Sequence, residues 1–343
     1  MRYFFTLLCL LAVFLVHAQD TLPQFAFPLD CTLGETCLTV NYVDVDPTDE
    51  HKDFQCTSKT TDDHKGTDFA IKSRAAMMSG VNVLAARNGT VARVRDGETD
   101  AIKTEAGYRA IHEANKDCGN GILIDHGQGL QTFYCHVKNG SITVKPGDTV
   151  AKGQAIAQVG QSGYAEFPHL HFSVIWEGGH VDPFTGMLKE SRCGQMKDNM
   201  WETDITYEPF TVFDNDFSAA VPDFETMMRE GAAASTDPIT TDAPSLLYWV
   251  GFYHARVGDT VTLTITDPDG AVFKTHETTL QNNRKRPSFL YSGRQLNAPL
   301  KAGDYKGTAT FKRGGVDDYT VTRTITVAPA AIPSADPIVD PAP

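Results

Sequence analysis

His169 and His171 stand two apart in the run Phe167-Pro168-His169-Leu170-His171-Phe172-Ser173-Val174-Ile175. Its apolar tail, with Gly160 and Gly163 upstream, predicts a β-strand entered from a loop. Side chains alternate faces along a strand, so the two imidazoles project the same way, about 7 Å apart. That arrangement suits one metal-ligand position beside one proton-transfer position. By itself the pair would read as exposed strand histidines. A second pair, His64 and Asp68, lies in Asp63-His64-Lys65-Gly66-Thr67-Asp68-Phe69-Ala70-Ile71. Four-residue spacing would share one face of a helix. Gly66, Thr67 and the following Phe-Ala-Ile favour a loop running into a strand instead, and a turn at Gly66 still brings both side chains to one point. H-x-x-x-D alone is a weak signal.

The elements that must position these residues are short strands. Val83–Ala86, Gly89–Arg95, Gly121–Asp125 and Leu130–His136 read as strands, with Asn88-Gly89 and His126-Gly127-Gln128-Gly129 supplying turn chemistry. Val144–Val150 and Gly153–Gly160 add two more. Residues 96–117 interrupt the series with a charged, alanine-containing insert that suits a short helix. Regular turns between short strands imply a mainly β, antiparallel domain.

The wider chain bounds the function. Residues 1–18 carry one positive charge, an apolar run and Val16-His17-Ala18, the pattern of a cleaved secretory signal peptide. No later stretch approaches the ~20 apolar residues of a membrane span, so a periplasmic or secreted protein is expected. The formal charge of −13 becomes −14 once Arg2 is removed, which excludes nucleic-acid binding through a general cationic field. About 325 residues then remain, enough for two domains. Six cysteines follow the signal, and an even count in an exported chain reads as disulfides, although six allow about 15 pairings. Cys31 and Cys37 could close a small loop, and Cys118 and Cys135 flank an apparent hairpin. Pairing these leaves Cys56 with Cys193. No C-x-x-C is present to favour a cysteine zinc site.

Residues 44–50 are read as a solvated acidic loop, because the glycine and terminal glutamate of a calcium loop are missing. Residues 205–242 read as a connector that partly packs through Phe210, Val212, Phe213 and Phe224. From 243 to 328, alternation such as Val261, Leu263 and Ile265 against Thr260, Thr262, Thr264 and Thr266 predicts an immunoglobulin-like β-sandwich. The Arg284-Lys285-Arg286 run reads as a loop charge cluster, and 329–343 as a disordered Pro/Ala-rich tail. His126 is assigned to its turn. His51, His112, His180, His254 and His276 have no partner spacing and read as surface or packing residues. Trp176, Trp201 and Trp249 read as core.

Taken in order, His64-x-x-x-Asp68, Gly119-Asn120-Gly121-Ile122-Leu123-Ile124-Asp125-His126-Gly127, Tyr134-Cys135-His136-Val137 and Pro168-His169-Leu170-His171-Phe172 resemble the lysostaphin-type zinc metallopeptidases. That family cleaves peptidoglycan and carries H-x-x-x-D and H-x-H signatures. The resemblance covers about residues 60–185, inside a domain expected to span 19–204. It implies a duplicated hybrid motif fold and one Zn2+ per chain held by His64, Asp68 and His171. It also implies a catalytic pair, His136 and His169, and peptidoglycan cross-links or stem peptides as substrate. Two imidazoles and a carboxylate suit a catalytic zinc, which keeps one position open for water or substrate. One histidine of the pair would take the proton of the attacking water and the other stabilise the developing oxyanion, with neither order preferred.

This chain departs from the family pattern at Cys135 inside Y-x-H, at Val137 after it, and at Ala165-Glu166-Phe167 before H-x-H. None of these touches the five key residues, so an active, monomeric zinc endopeptidase is expected. The alternatives are a zinc-bound, non-hydrolytic wall-binding regulator and a secreted protein-digesting metalloprotease. A biotinyl- or lipoyl-carrier half-barrel, suggested by 144–156, lacks its Met-Lys hairpin tip; Met196-Lys197 comes after both strands.

Overall fold

A computed structural model describes residues 22–230, 238–283 and 287–331. The expected signal segment, the 284–286 charge run and the tail from 332 onward lie outside the described residues. The first part of the chain forms β1 (Cys37–Asn41), β2 (Thr67–Ile71), β3 (Asn82–Leu84), β4 (Gly89–Arg95), β5 (Gly121–Asp125) and β6 (Leu130–Cys135). It continues with β7 (Thr149–Val150), β8 (Ala155–Gln158), β9 (His169–Trp176), β10 (Gly179–Asp182) and β11 (Met187–Leu188). Two helices, α1 (Arg74–Ser79) and α2 (Glu105–Glu113), interrupt them.

The main sheet runs β1-β2-β9-β6-β5-β4-β7, with β10 added beside β9 and β11 beside β10. Its ladders are antiparallel, as the turn-rich sequence predicts. One face is apolar: Phe69, Ile122, Ile124, Tyr134, Leu170, Phe172 and Val174 share a core with Phe25 and Trp201. The opposite face of β9 carries His169, His171 and Ser173, because alternate residues of a strand face opposite ways. All five residues of β2 are buried, since it lies between β1 and β9 and is covered on both sides.

The disulfides are Cys31–Cys37, Cys56–Cys193 and Cys118–Cys135, the pairing expected above. The 96–117 insert contains α2, started by Thr104, whose hydroxyl accepts from the Gly107 amide at 3.2 Å. Tyr108 Oη donates to the Ala165 carbonyl at 3.0 Å and so fastens the insert to the loop before H-x-H.

The second part contains β12 (Thr211–Ser218), α3 (Phe224–Glu230), β13 (Ser245–Tyr253), β14 (Thr260–Thr266), β15 (Val272–Thr279), β16 (Ser288–Gln295), β17 (Gly303–Lys312) and β18 (Tyr319–Val327). Sheets β12-β13-β16 and β15-β14-β17-β18 enclose Phe217, Tyr248, Val250, Phe252, Val261, Leu263, Ile265 and Phe311. This two-sheet arrangement is compatible with an immunoglobulin-like sandwich. On β14 the valine, leucine and isoleucine are buried and the threonines are only partly so, as their alternation requires.

Two expectations need correcting. The stretch expected to connect the two parts contributes β12, an edge strand paired along its length with β13, because Val212, Phe213 and Phe217 are apolar enough to be drawn into packing. The acidic loop is also not simply solvated. Asp44 is buried, and its carboxylate accepts from the amides of Asp46, Lys52 and Asp63 at 3.1, 3.0 and 3.0 Å. Those oxygens are spent on backbone donors, which holds the chain entering His64.

Candidate metal and catalytic site

The site is a row across four neighbouring strands. Asn41 on β1 is in register with Asp68 on β2, Asp68 with His171 on β9, and His171 with Cys135 on β6. Residues directly opposite in antiparallel strands share a face, so pairing alone sets Asp68 beside His171 and puts His136 one residue past the row. His64 joins from the loop before β2, where its backbone carbonyl accepts from the Asp44 amide at 2.9 Å.

Two imidazole nitrogens and the two oxygens of one carboxylate converge. His64 Nε2 is 3.1 Å from His171 Nδ1 and 3.1 Å from Asp68 Oδ2, and His171 Nδ1 is 2.9 Å from Asp68 Oδ1. His64 Nδ1 lies 2.7 Å from the Tyr42 carbonyl, to which it donates, so Nε2 is left as a lone pair aimed at the other two. A tetrahedral centre with metal–ligand bonds of 2.0–2.1 Å sets its ligand atoms about 3.3 Å apart, close to the separations found here. Two imidazoles and a carboxylate brought this close are held either by protons on the rings or by a cation between them. His64, Asp68 and His171 therefore offer a fitting set for a divalent metal.

The two remaining histidines flank this triangle. His169 Nε2 is 3.7 Å from Asp68 Oδ1, and the His136 and His169 rings are 4.6 Å apart. Each is fixed by its other nitrogen: His169 Nδ1 donates to the Phe167 carbonyl and His136 Nδ1 to that of Ser162, both at 2.8 Å. In both, Nε2 is left free to accept a proton. His136 has φ +61°, a left-handed conformation that is costly for a non-glycine residue. The surrounding bonds sustain it, since its amide donates to the Cys118 carbonyl at 2.9 Å and Cys118 is bonded to the adjacent Cys135.

Electrostatics follow from this packing. Burial works against the charge of Asp68, but the His64 and His169 rings outweigh it and hold the carboxyl well below the usual range. Burial also opposes a charge on His64, yet the Asp68 carboxylate beside it raises its pKa. Burial lowers His171 against the Asp68 hydrogen bond. Burial, reinforced by His169 and His171, pushes His136 well below the ordinary imidazole range. His136 is thus a neutral base across neutral pH.

Residues 62–183 match the model of peptidase family M23. These residues are a peptidase family M23 domain. An uncharacterized metalloprotease of Haemophilus influenzae is 32% identical over 131 residues, covering 38% of this chain and 22% of that protein. The peptidoglycan DD-endopeptidase ShyA of Vibrio cholerae is 31% identical over 119 residues, covering 35% and 22%. The chain thus spans about a fifth of the length of these curated relatives. The catalytic domain of lysostaphin from Staphylococcus simulans superposes with a TM-score of 0.27 at 23% identity, over 42% of this chain and 87% of that one.

All five residues singled out in the sequence lie together in the M23 domain. Sequence reasoning missed those that orient them. Asn41 Nδ2 donates to Asp68 Oδ2 at 2.7 Å, and Asp44 holds the approach to His64. The asparagine could have been found only from the β1–β2 register, which depends on a bulge between Thr39 and Asn41. His126, assigned to its turn, does bridge it, with Nδ1 2.8 Å from the Asn88 carbonyl and Nε2 2.8 Å from Thr132 Oγ1.

Proposed function

We propose that the chain is an exported zinc endopeptidase that hydrolyses peptide bonds in peptidoglycan cross-links or stem peptides. The observation that carries the reading is the meeting of His64 Nε2, His171 Nδ1 and the two Asp68 oxygens at separations of 2.9 to 3.1 Å, with the His136 and His169 imidazoles on its flank. The name of the Vibrio cholerae relative supports the substrate class. In this reading His64, Asp68 and His171 hold one zinc ion, and the catalytic domain lies within 19–204, ahead of a sandwich at 243–328. The apolar run ending in Val16-His17-Ala18 supports export.

Zinc bound there supplies a Lewis acid that polarises the scissile carbonyl and makes water more acidic. The chain's own residues do the rest. Asn41 and the neighbouring histidines keep Asp68 ionised and oriented. His136 and His169, each anchored through Nδ1 to a backbone carbonyl, present Nε2 to the reacting amide. One takes the proton of the attacking water at Nε2, and the other donates toward the oxygen that becomes negative once its Nε2 carries a second ring proton. The proton then passes to the departing amine.

The test is mass spectrometry of muropeptides from purified peptidoglycan incubated with protein, with and without chelator. New amine and carboxyl termini that vanish with chelator are expected. Bound zinc with no released peptide would favour the non-hydrolytic regulator instead.

A further inference from the structure

The second part of the chain reaches the site directly. His254 follows the last residue of β13, is buried, and lies with Nε2 2.8 Å from Asn41 Oδ1. We propose that His254 is a positioning residue for the metal site, acting through Asn41 on Asp68. The proposal rests on the zinc reading above.

The direction of the relay follows from donor and acceptor chemistry. An ionised Asp68 can only accept, so Asn41 must turn its NH2 toward it, which leaves Oδ1 facing His254. That oxygen can only accept, so His254 Nε2 carries the hydrogen and donates. One proton on His254 thereby selects one of the two orientations of the Asn41 amide. Partners of this kind orient metal ligands, and their loss typically costs about 10–100-fold in metal affinity or activity.

His254 is itself held unusually firmly. Its φ is +54°, a conformation that persists only where the surroundings enforce it. Its carbonyl accepts from Arg313 Nη2 at 3.2 Å, and Arg313 makes a two-pronged contact with Asp259 at 2.8 and 2.7 Å and donates to the Pro209 carbonyl at 2.9 Å. The preceding residue, Tyr253, lays its ring 5.1 Å from Phe167, whose ring is 4.7 Å from His169. Two consecutive residues of the second part thus bear on both sides of the site: one through a polar relay to Asp68, one through a run of tilted ring contacts to His169.

The experiment measures zinc affinity by chelator competition on the full-length protein, without reference to turnover. In His254→Gln the amide nitrogen occupies the place of Nε2, and affinity is expected within threefold of wild type. In His254→Asn the side chain tolerates the left-handed backbone but stops short of Asn41, and zinc should bind about tenfold more weakly. Asn41→Ala should lose the same factor, and adding His254→Asn to it should lose nothing more, because the relay is already cut. A merely structural role for His254 would make the two losses multiply.

Arg313→Ala is a second route should the Asn variant not fold. It frees the His254 carbonyl and must weaken zinc in the wild type but not in the Asn41→Ala background. His254→Asn within twofold of wild type, or losses that multiply, overturns the relay. A wild-type protein that holds no zinc overturns the metal reading and the relay with it, so the two failures are told apart.

Discussion

Gly66 separates His64 from Asp68, and its lack of a side chain is what lets the loop lie against β9. A Cβ built there would sit 2.5 Å from the Phe172 carbonyl oxygen, 2.7 Å from His171 Nε2 and 2.9 Å from His171 Cε1. Ordinary contact begins at 3.4 Å, so Gly66→Ala must open gaps of about 0.9 and 0.7 Å at the first two atoms. The carbonyl belongs to the backbone of β9 and cannot swing aside, so the strand or the loop moves, and the His171 ring moves with it. Overpacking of this kind costs about 1–3 kcal/mol in stability. A displacement near 1 Å in a catalytic arrangement costs on the order of 100-fold in rate. Zinc retained after dialysis, turnover of peptidoglycan and thermal unfolding should be compared with Gly314→Ala, whose Cβ meets nothing within 4 Å. Both zinc affinity and turnover should fall in Gly66→Ala, while the control matches the wild type. A Gly66→Ala protein with unchanged zinc affinity, turnover and Tm would show that the loop does not press on the site, and would refute the packing argument.

Other perturbations separate the roles of individual residues. His64→Ala and Asp68→Ala should lose both zinc and activity, whereas His169→Ala should keep zinc and lose activity; turnover retained in the last removes that histidine from the mechanism. Replacing Cys118 and Cys135 by serine removes a disulfide closing 17 residues and should cost about 3 kcal/mol in denaturant unfolding. It should also lower turnover without loss of zinc, because His136 hangs from the Cys118 carbonyl; unchanged turnover would mean the bond only stabilises the fold. Lys59 is buried between the Glu208 carbonyl and Thr211 Oγ1, and burial brings its pKa down to about 7. A depressed folded pKa means its contribution is complete above the unfolded value near 10.4 and is lost as pH falls toward 7, on the order of 4–5 kcal/mol in all. Lys59→Met should therefore gain stability over wild type as pH drops from 10 to 7, and a constant difference across that range would remove the buried charge as its cause.

Much of the site was legible because its chemistry sits in short, fixed spacings. His169 and His171 share a face for the same reason that Leu170, Phe172 and Val174 share the other, and one strand states both. Likewise, Gly66 and Thr67 marked a loop entering a strand, and β2 begins at Thr67. What stayed hidden belongs to pairing between distant segments. Asn41 is a routine strand asparagine until β1 is laid against β2, and nothing in the local sequence around His254 points to the residues it meets. Its neighbours, Asn41 and Arg313, are 213 and 59 residues away. The connector was misjudged for a related reason. Phe210, Val212, Phe213 and Phe224 reveal that 205–242 partly packs, but only β13 reveals that it packs as a strand.

Those hidden contacts also bear on how the chain works as a whole. Phe213 and Tyr253 of the second part close an apolar cluster with Leu38, Val40, Ala70 and Phe167 of the first. Ala70 pairs in register with His169 and Val40 lies beside Asn41, so the cluster abuts the residues that orient the site. A freely tethered module would leave Phe167, Phe213 and Tyr253 in water, and burying an aromatic side chain is worth about 1.5–3 kcal/mol. The second part is thus fastened where small shifts matter most. Any partner that pulled it away would first lose the His254–Asn41 bond and the Tyr253–Phe167 contact, the two links through which it bears on Asp68 and His169.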